Sequence, residues 1–344
     1  MRQRTTIIAL LIAIPLLLLL NLAVGSVPIP LAEVVHVLLG IQPYSDVGMV
    51  WQSIILSTRL PQAVTALCCG AGLSVAGLLM QTIFRNPLAG PSVLGVSSAA
   101  SLGVAFAIML SGGMGFSLMR MFGIIGNAAI TLSAVAGAMA VMGAIAFLAN
   151  RVRGKATLLM VGVMIGYIAS AITGVLKYFS SEEEVRAYVV WGLGSFARVT
   201  GGQVYVFASL VAVMLPFALL LTKWLNIMLL GDMYATSLGI DIKRVRTLTI
   251  AIAGTLTAVV TAYCGPIMFI GLAVPHICRG LLRCSDHRLL LPATMFCGAS
   301  IALLCNIISR LPGMEGALPV NSVTALIGAP ITLWILLKKK RNGQ

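Results

Sequence analysis

Apolar residues run along this chain in blocks of about twenty with little polar interruption, and short stretches of Gly, Pro, Arg and Lys separate the blocks. Ten runs can be marked, at 6–25, 63–84, 93–111, 121–149, 157–178, 203–222, 247–264, 267–282, 289–308 and 320–337. A bilayer core about 30 Å thick takes roughly 20 residues of helix, and these runs, the shortest being 267–282, read as the spans. None alternates apolar and polar positions over about ten residues, as a spanning strand does. The pattern predicts an all-α polytopic membrane protein with ten transmembrane helices, forming a single domain over 1–344.

Composition agrees with that solvent: 59% of residues are hydrophobic, 9% are charged, and the mean hydropathy is +1.04. Charge adds orientation, because Lys and Arg collect in cytoplasmic loops. With the N-terminus inside, 17 of the 23 basic residues fall on the cytoplasmic side, among them Arg85, Arg151, Lys155, Lys243, Arg244, Arg283 and the run Lys338 to Arg341. The outer side receives Arg59, Arg120, Lys177, Arg186, Arg198 and Arg310 together with six of the nine acids, so the whole net charge of +14 lies inside. Both termini are then cytoplasmic, and no nucleic-acid partner is needed to explain the basic chain. The first run, about 18 residues long, exceeds the 7–15 of a signal-peptide core and is kept as a helix. The seven cysteines show no C-x-x-C spacing and read as small packing residues, with no disulfide or metal site implied.

What the runs lack narrows the function. Every acid falls in a loop or at the edge of a run, so no buried carboxylate is available to carry a proton or sodium ion. An enzyme of the Mg²⁺-dependent transfer kind would need an acidic cluster, and the longest one, Glu182 to Glu184, is placed outside. No catalytic residue is assigned. The chain has no G-x-x-x-x-G-K-[ST] motif for nucleotide phosphates, so energy for uphill transport would come from a partner. Gly162, Gly166, Ser170 and Gly174 recur every four residues in the fifth run. Such a stripe reads either as a seam for close helix packing or as a face lining a pathway.

Sequence detail accumulates in the loops on the basic side. "FRNPLAGPSVLG" joins the second and third runs: Pro87 stops one helix after Arg85, and Pro91 with Ser92 can start the next. "LLGDMYATSLGIDIKRVR" (229–246) reads as a short amphipathic helix, longer than a turn requires and suited to docking a soluble partner. On the outer side, "FSSEEEVRAYVVWGLGSFARVTGG" (179–202) predicts a short helix and loop.

Many of these residues occur together in one known family. Arg59-Leu60-Pro61, Gly70-Ala71-Gly72, Gln81, Arg85-Asn86-Pro87-Leu88-Ala89, Leu94-Gly95, Leu238-Gly239, Gly265-Pro266, Phe269-Ile270-Gly271-Leu272, Pro275-His276, Arg279, Asp286-His287-Arg288, Arg310, Leu318-Pro319-Val320 and Gly328-Ala329-Pro330 stand in the order found in it. The chain resembles the permease subunits of binding-protein-dependent ABC importers for iron chelates (ferric siderophores, haem) and vitamin B12, over about residues 55–338. The resemblance implies a ten-helix subunit of a bacterial cytoplasmic membrane, paired with an identical or related second permease copy. It also implies two cytoplasmic ATPase subunits, which bind the ATP and Mg²⁺, and an extracytoplasmic substrate-binding protein; this chain itself binds no cofactor.

The same resemblance assigns candidate sites. Residues 229–241 would form coupling helices on the ATPase, with Gly231, Asp232, Ala235, Leu238 and Gly239 there and Arg85, Asn86 and Pro87 beside them. Arg59 and Arg310 would receive acidic residues of the binding protein. The pathway or gate candidates are Lys155, Ala156, Gly162, Gly166, Ser170 and Gly174. Departures from the family pattern are Gln62 and Asn306, where relatives often carry Arg and Asp, Ala317 and Asn321 around Leu-Pro-Val, and Gly154-Lys155-Ala156 in place of small hydroxyl residues. His276 reads as a structural hydrogen-bonding residue, and His36 and His287 receive no site. An ATPase-independent facilitator or scaffold stands as the alternative function.

Overall fold

The computed structural model describes residues 2–41, 45–109, 124–151, 154–311 and 317–341. Among them are fifteen α-helices and no strand. In chain order these are α1 (Arg2–Ala23), α2 (Leu31–Leu38), α3 (Asp46–Ile54), α4 (Leu60–Phe84), α5 (Val96–Met109), α6 (Ile124–Arg151), α7 (Lys155–Phe179), α8 (Glu182–Gly192), α9 (Gly202–Leu220), α10 (Thr222–Leu229), α11 (Asp232–Ser237), α12 (Ile242–Cys264), α13 (Ile270–Leu282), α14 (His287–Ile308) and α15 (Val320–Arg341). Arg120, Arg153 and Glu315, which entered the charge count, lie outside the described residues.

Seven helical segments are long and apolar enough to cross a membrane: α1, the continuous Asp46–Phe84 segment, α6, α7, α9, α12 and α14. Three shorter apolar helices, α5, α13 and Val320–Leu333 of α15, fall on the three remaining apolar runs. The molecule is a helical, multi-pass membrane protein.

Segment 46–84 departs most from its predicted bounds. A single turn of π-helix, Ile55–Arg59, joins α3 to α4 and makes 39 continuous residues, about 58 Å at 1.5 Å per residue. That is far more than a bilayer needs, so α3 extends beyond it. The sequence marked only 63–84 because Asp46, Gln52, Arg59 and Gln62 interrupt the apolar pattern. Pro61 sits in the first turn of α4, where its missing N–H costs little.

α4 is the hub of the bundle. In segment 46–84, 83% of the most apolar window is buried, against 11% for α1, so α1 lies at the periphery of the bundle and α4 at its centre. Small residues permit that burial. A Cβ on Gly70 would overlap the carbonyl of Gly298 in α14, and one on Gly77 would overlap the carbonyl of Gly271 in α13. The backbones approach until side chains are excluded, as in small-residue membrane crossings generally. Ser74 Oγ then reaches across α4 to donate to the carbonyl of Thr294 at 3.0 Å.

Local signals end the helices that position the sites. Arg85 and Arg283 adopt the left-handed conformation (φ 48° and 49°) and terminate α4 and α13. Asp241 and Asp286 accept from the backbone N–H of Arg244 (3.1 Å) and Arg288 (2.9 Å), starting α12 and α14 as N-caps. Ser181 and Glu184 form a reciprocal capping box at α8, which puts the predicted 179–202 helix at Glu182–Gly192. The helical bracket after α9 begins at Thr222, earlier than the predicted 229–241, and breaks into α10 and α11 at Gly231.

Candidate functional site

At the end of the bundle that carries most of the basic residues, the tight turn 85–90 is built by its own polar groups. Asn86 Oδ1 accepts from Leu88 N at 2.9 Å, and its carbonyl accepts from Ala89 N at 3.1 Å, an Asx-type turn that Pro87 rigidifies. His276 Nε2 lies 2.8 Å from the carbonyl of Pro87. A carbonyl can only accept, so that nitrogen carries a proton.

Arg85 reaches out of the turn toward the bracket. Its Nη2 donates to the carbonyl of Met228 at 2.6 Å and to Asp232 Oδ1 at 3.0 Å. The first acceptor lies at the C-terminal, electronegative end of α10, and the second opens α11. Gly231 lies between them at φ 124°, a conformation only glycine adopts readily. In α11, Ala235 is buried, whereas Met233 and Tyr234, with Leu230 before the helix and Leu238 after it, are exposed, Met233 to 88%. The helix closes at Gly239 (φ 77°), with Ile240 N donating to the carbonyl of Ala235 at 3.1 Å. Leu229 and, on the facing turn, Leu88 are exposed as well. The predicted coupling residues thus divide: Leu238 faces outward, Ala235 packs inward, Gly231 and Gly239 shape the chain, and Arg85 ties the bracket to α4.

Sequence reasoning missed the residues behind this bracket. His287, read as a loop residue, is 1% exposed. Its Nε2 lies 2.8 Å from Thr82 Oγ1 of α4, and its Nδ1 and backbone N both lie 2.8 Å from Asn226 Oδ1 of α10. Asn226 Nδ2 donates to Asp286 Oδ1 at 2.5 Å. The backbone N–H of Arg288, followed by the Asn226 amide, holds the Asp286 carboxyl below its ordinary range. One turn further into the bundle, Arg279 Nη1 donates to Gln81 Oε1 (2.6 Å) while Gln81 Nε2 donates to the carbonyl of Leu272 (3.1 Å). Asn226 lies in an otherwise apolar stretch, and a lone polar residue there was the available signal.

At the opposite end the expected docking arginines turn inward. Arg59 is 3% exposed; its Nη1 donates to the carbonyls of Leu22 (2.7 Å) and Ala23 (2.8 Å), and its Nη2 to that of Val27. As placed, its guanidinium caps the C-terminal end of α1 and is buried among main-chain carbonyls. Arg310 is half-buried and donates to Gln62 Oε1 at 2.8 Å, to Asn21 Oδ1 at 3.0 Å and to the carbonyl of Asn306 at 3.3 Å. Burial, with the neighbouring Arg59 charge, pushes it down to about 10. Asn306 Nδ2 in turn donates to Asn21 Oδ1 at 2.8 Å. Gln62 and Asn306, the two departures noted in the sequence, therefore meet in one neutral cluster around Arg310.

The stripe on α7 also divides. A Cβ on Gly162 would meet Leu94 Cα at 2.9 Å, and one on Gly166 would meet Gly95 Cα at 3.3 Å. That half is a packing seam against the start of α5. Ser170 and Gly174 are exposed, with nothing within 4 Å of a Cβ on Gly174; Tyr167, Ile168 and Tyr178 are exposed alongside. Ala156 is exposed at the start of α7, and the side chain of Lys155 lies outside the described residues. Among the described residues no group of three or more His, Cys, Asp or Glu is placed to hold a metal.

A multi-pass helical bundle, with a glycine-packed core and an exposed apolar bracket anchored at one end, defines a membrane transport subunit. A model of the FecCD transport family matches residues 10–338, and the chain belongs to that family. The vitamin B12 import system permease protein BtuC of Escherichia coli O9:H4 (strain HS) is 36% identical over 292 residues, covering 85% of this chain and 84% of the relative. Its counterpart in Klebsiella pneumoniae subsp. pneumoniae is 36% identical over the same length, covering 85% of each. Among solved structures, a protein described as a metal-chelate type ABC transporter in an inward-facing conformation matches with a TM-score of 0.83 at 27% identity, covering 97% of this chain and 99% of that one. The resemblance read from the sequence holds: the chain is an importer-type permease.

Proposed function

We propose that this chain is the permease subunit of an ATP-driven importer for cobalamin or an iron chelate in a bacterial cytoplasmic membrane. Two copies, or one copy and a related chain, enclose the pathway. Ten spans place both termini in the cytoplasm, with a substrate-binding protein docking at the outer end. ATP and Mg²⁺ belong to separate cytoplasmic ATPase subunits, whose closure drives alternating access. The observation that carries this reading is the bracket 222–239. Its exposed Leu229, Leu230, Met233, Tyr234 and Leu238 would be an aggregation hazard on a free surface, and they form a suitable seat for a soluble subunit. The exposed half of α7, from Tyr167 to Tyr178, is the proposed pathway wall; apolar and aromatic side chains there suit a bulky chelate. Ferric siderophores, haem and cobalamin remain alternatives, distinguished by the binding protein.

The test is the ATPase rate of this permease reconstituted in nanodiscs with an ATPase subunit and a binding protein of this importer class from the same organism. The expected outcome is stimulation by loaded binding protein with one member of a panel of cobalamin, haem and ferric siderophores. Failure of the ATPase to associate, with the bracket intact, would overturn the importer reading in favour of a facilitator or scaffold.

A further inference from the structure

The bracket α10–α11 is short and interrupted by a glycine, a poor design for transmitting force unless something stiffens it. Two side-chain routes do so, each starting at the end of α4 and each gripping a different part of the bracket. Arg85 holds the joint itself, bridging the last turn of α10 through the Met228 carbonyl and the first residue of α11 through Asp232, at 2.6 and 3.0 Å. Thr82, three residues earlier, reaches the middle of α10 through buried His287, whose ring spans from Thr82 Oγ1 to Asn226 Oδ1 at 2.8 Å on each side. The Asn226 amide is fixed in turn by the N-cap carboxylate of α14, so its oxygen is obliged to face His287.

The chemistry explains the residue types. An imidazole is the side chain that offers hydrogen-bonding nitrogens at two ends of a rigid ring, so it can link two helices without flexing. A guanidinium can donate to two acceptors at once, which an ammonium on a flexible stem does with poorer geometry. The two routes hold α10 at two points, Asn226 and Met228, and the bond from Arg85 to Asp232 carries the hold across Gly231 to α11. The grip falls on Asn226, the Met228 carbonyl and Asp232, and the exposed row is Met233, Tyr234 and Leu238, so the grip and the seat occupy different residues.

We propose that Arg85 and His287 are positioning residues that lock the coupling bracket to α4 and α14, so that movement of the seated ATPase is delivered to the transmembrane bundle instead of being absorbed at Gly231. This rests on the importer reading and names residues for it. When the lock is cut, the ATPase still sits on the bracket, but hydrolysis and transport separate.

The experiment measures substrate moved per ATP hydrolysed in proteoliposomes of the full complex, for wild type, Arg85→Gln, Arg85→Lys, His287→Gln, Asp232→Arg and the exchanged pair Arg85→Asp with Asp232→Arg. Co-purification of the ATPase is recorded for each. For residues joined in one network, a fall of about tenfold in that ratio is expected for Arg85→Gln. Arg85→Lys should recover part of the loss, and the exchanged pair should do better than Asp232→Arg alone. His287→Gln, which keeps a donor and an acceptor but puts both on a flexible stem in place of a rigid ring, should also lower the ratio. A ratio within twofold of wild type in both Arg85→Gln and His287→Gln would overturn the lock. So would loss of ATPase co-purification in Arg85→Gln, because Arg85 would then belong to the seat. Failure of the wild-type complex to bind an ATPase would instead remove the importer reading itself.

Discussion

Arg59 donates to the carbonyls of Leu22, Ala23 and Val27, acceptors at and just beyond the end of α1. The last carbonyls of a helix have no intrahelical donor, and at this position little water is available to satisfy them. An alanine at 59 would leave the buried carbonyls of Leu22 and Ala23 without the guanidinium and open space beside Gly25, whose Cβ position lies 2.9 Å from Arg59 Nη2. A loss of about 3 kcal/mol is expected for stranding buried acceptors in this way. Arg59→Ala should therefore lower the unfolding temperature of the isolated permease in detergent, with no binding protein present. A purely docking role would leave that temperature unchanged and weaken only binding-protein affinity. The burial of Arg59 was not legible because a lone arginine beside Leu-Pro carries no signal of it; its acceptors are main-chain atoms more than thirty residues away, which side-chain patterns do not encode.

At the scale of the helix, α7 carries one stripe with two fates. Gly162 and Gly166 lie against Leu94 and Gly95 with no room for a side chain, whereas a Cβ on Gly174 meets nothing within 4 Å. Overpacking a close crossing costs about 1–3 kcal/mol. Gly162→Leu should thus lower thermal stability, while Gly174→Leu should leave stability within error and reduce transport of the bulky substrate. Equal losses of stability from both would place Gly174 in a seam too. The i+4 spacing displayed the stripe but could not divide it, because the division depends on where the start of α5 lies against α7. The spans themselves were legible for the opposite reason: the bilayer acts on every residue of a run, so apolar length alone reports them. The short helices α2 and α3 were not legible, being mixed apolar and polar segments. The bracket was legible as amphipathic, yet its lock was not, since Thr82, Asn226 and His287 come from three separated stretches of chain.

For the molecule as a whole, orientation decides whether the bracket can meet an ATPase. Seventeen of the 23 basic residues fall on one side under a ten-span topology, and the same side carries the turn 85–90, the bracket 222–239 and the cap at Asp286. Moving this excess of Lys and Arg outward would oppose the bias that sets membrane orientation. The three shorter apolar helices make the count the critical quantity, because omitting one of them reverses every later loop. At about 20 Å, the 13 or 14 residues of α13 or α5 are shorter than a bilayer core, so each would span only with its flanking turns buried in the bundle. Alkaline phosphatase fused after Leu311 should be active, because it follows nine spans from a cytoplasmic N-terminus. The same enzyme fused after Arg341 should be inactive, and a fluorescent protein there should fold and emit. The opposite pair of results would put Arg85, Asp232 and the exposed leucines outside the cell, where no ATPase could sit on them. Equal phosphatase activity at both points would show that α15 does not cross, and the two ends of the charge distribution would then have to be assigned again.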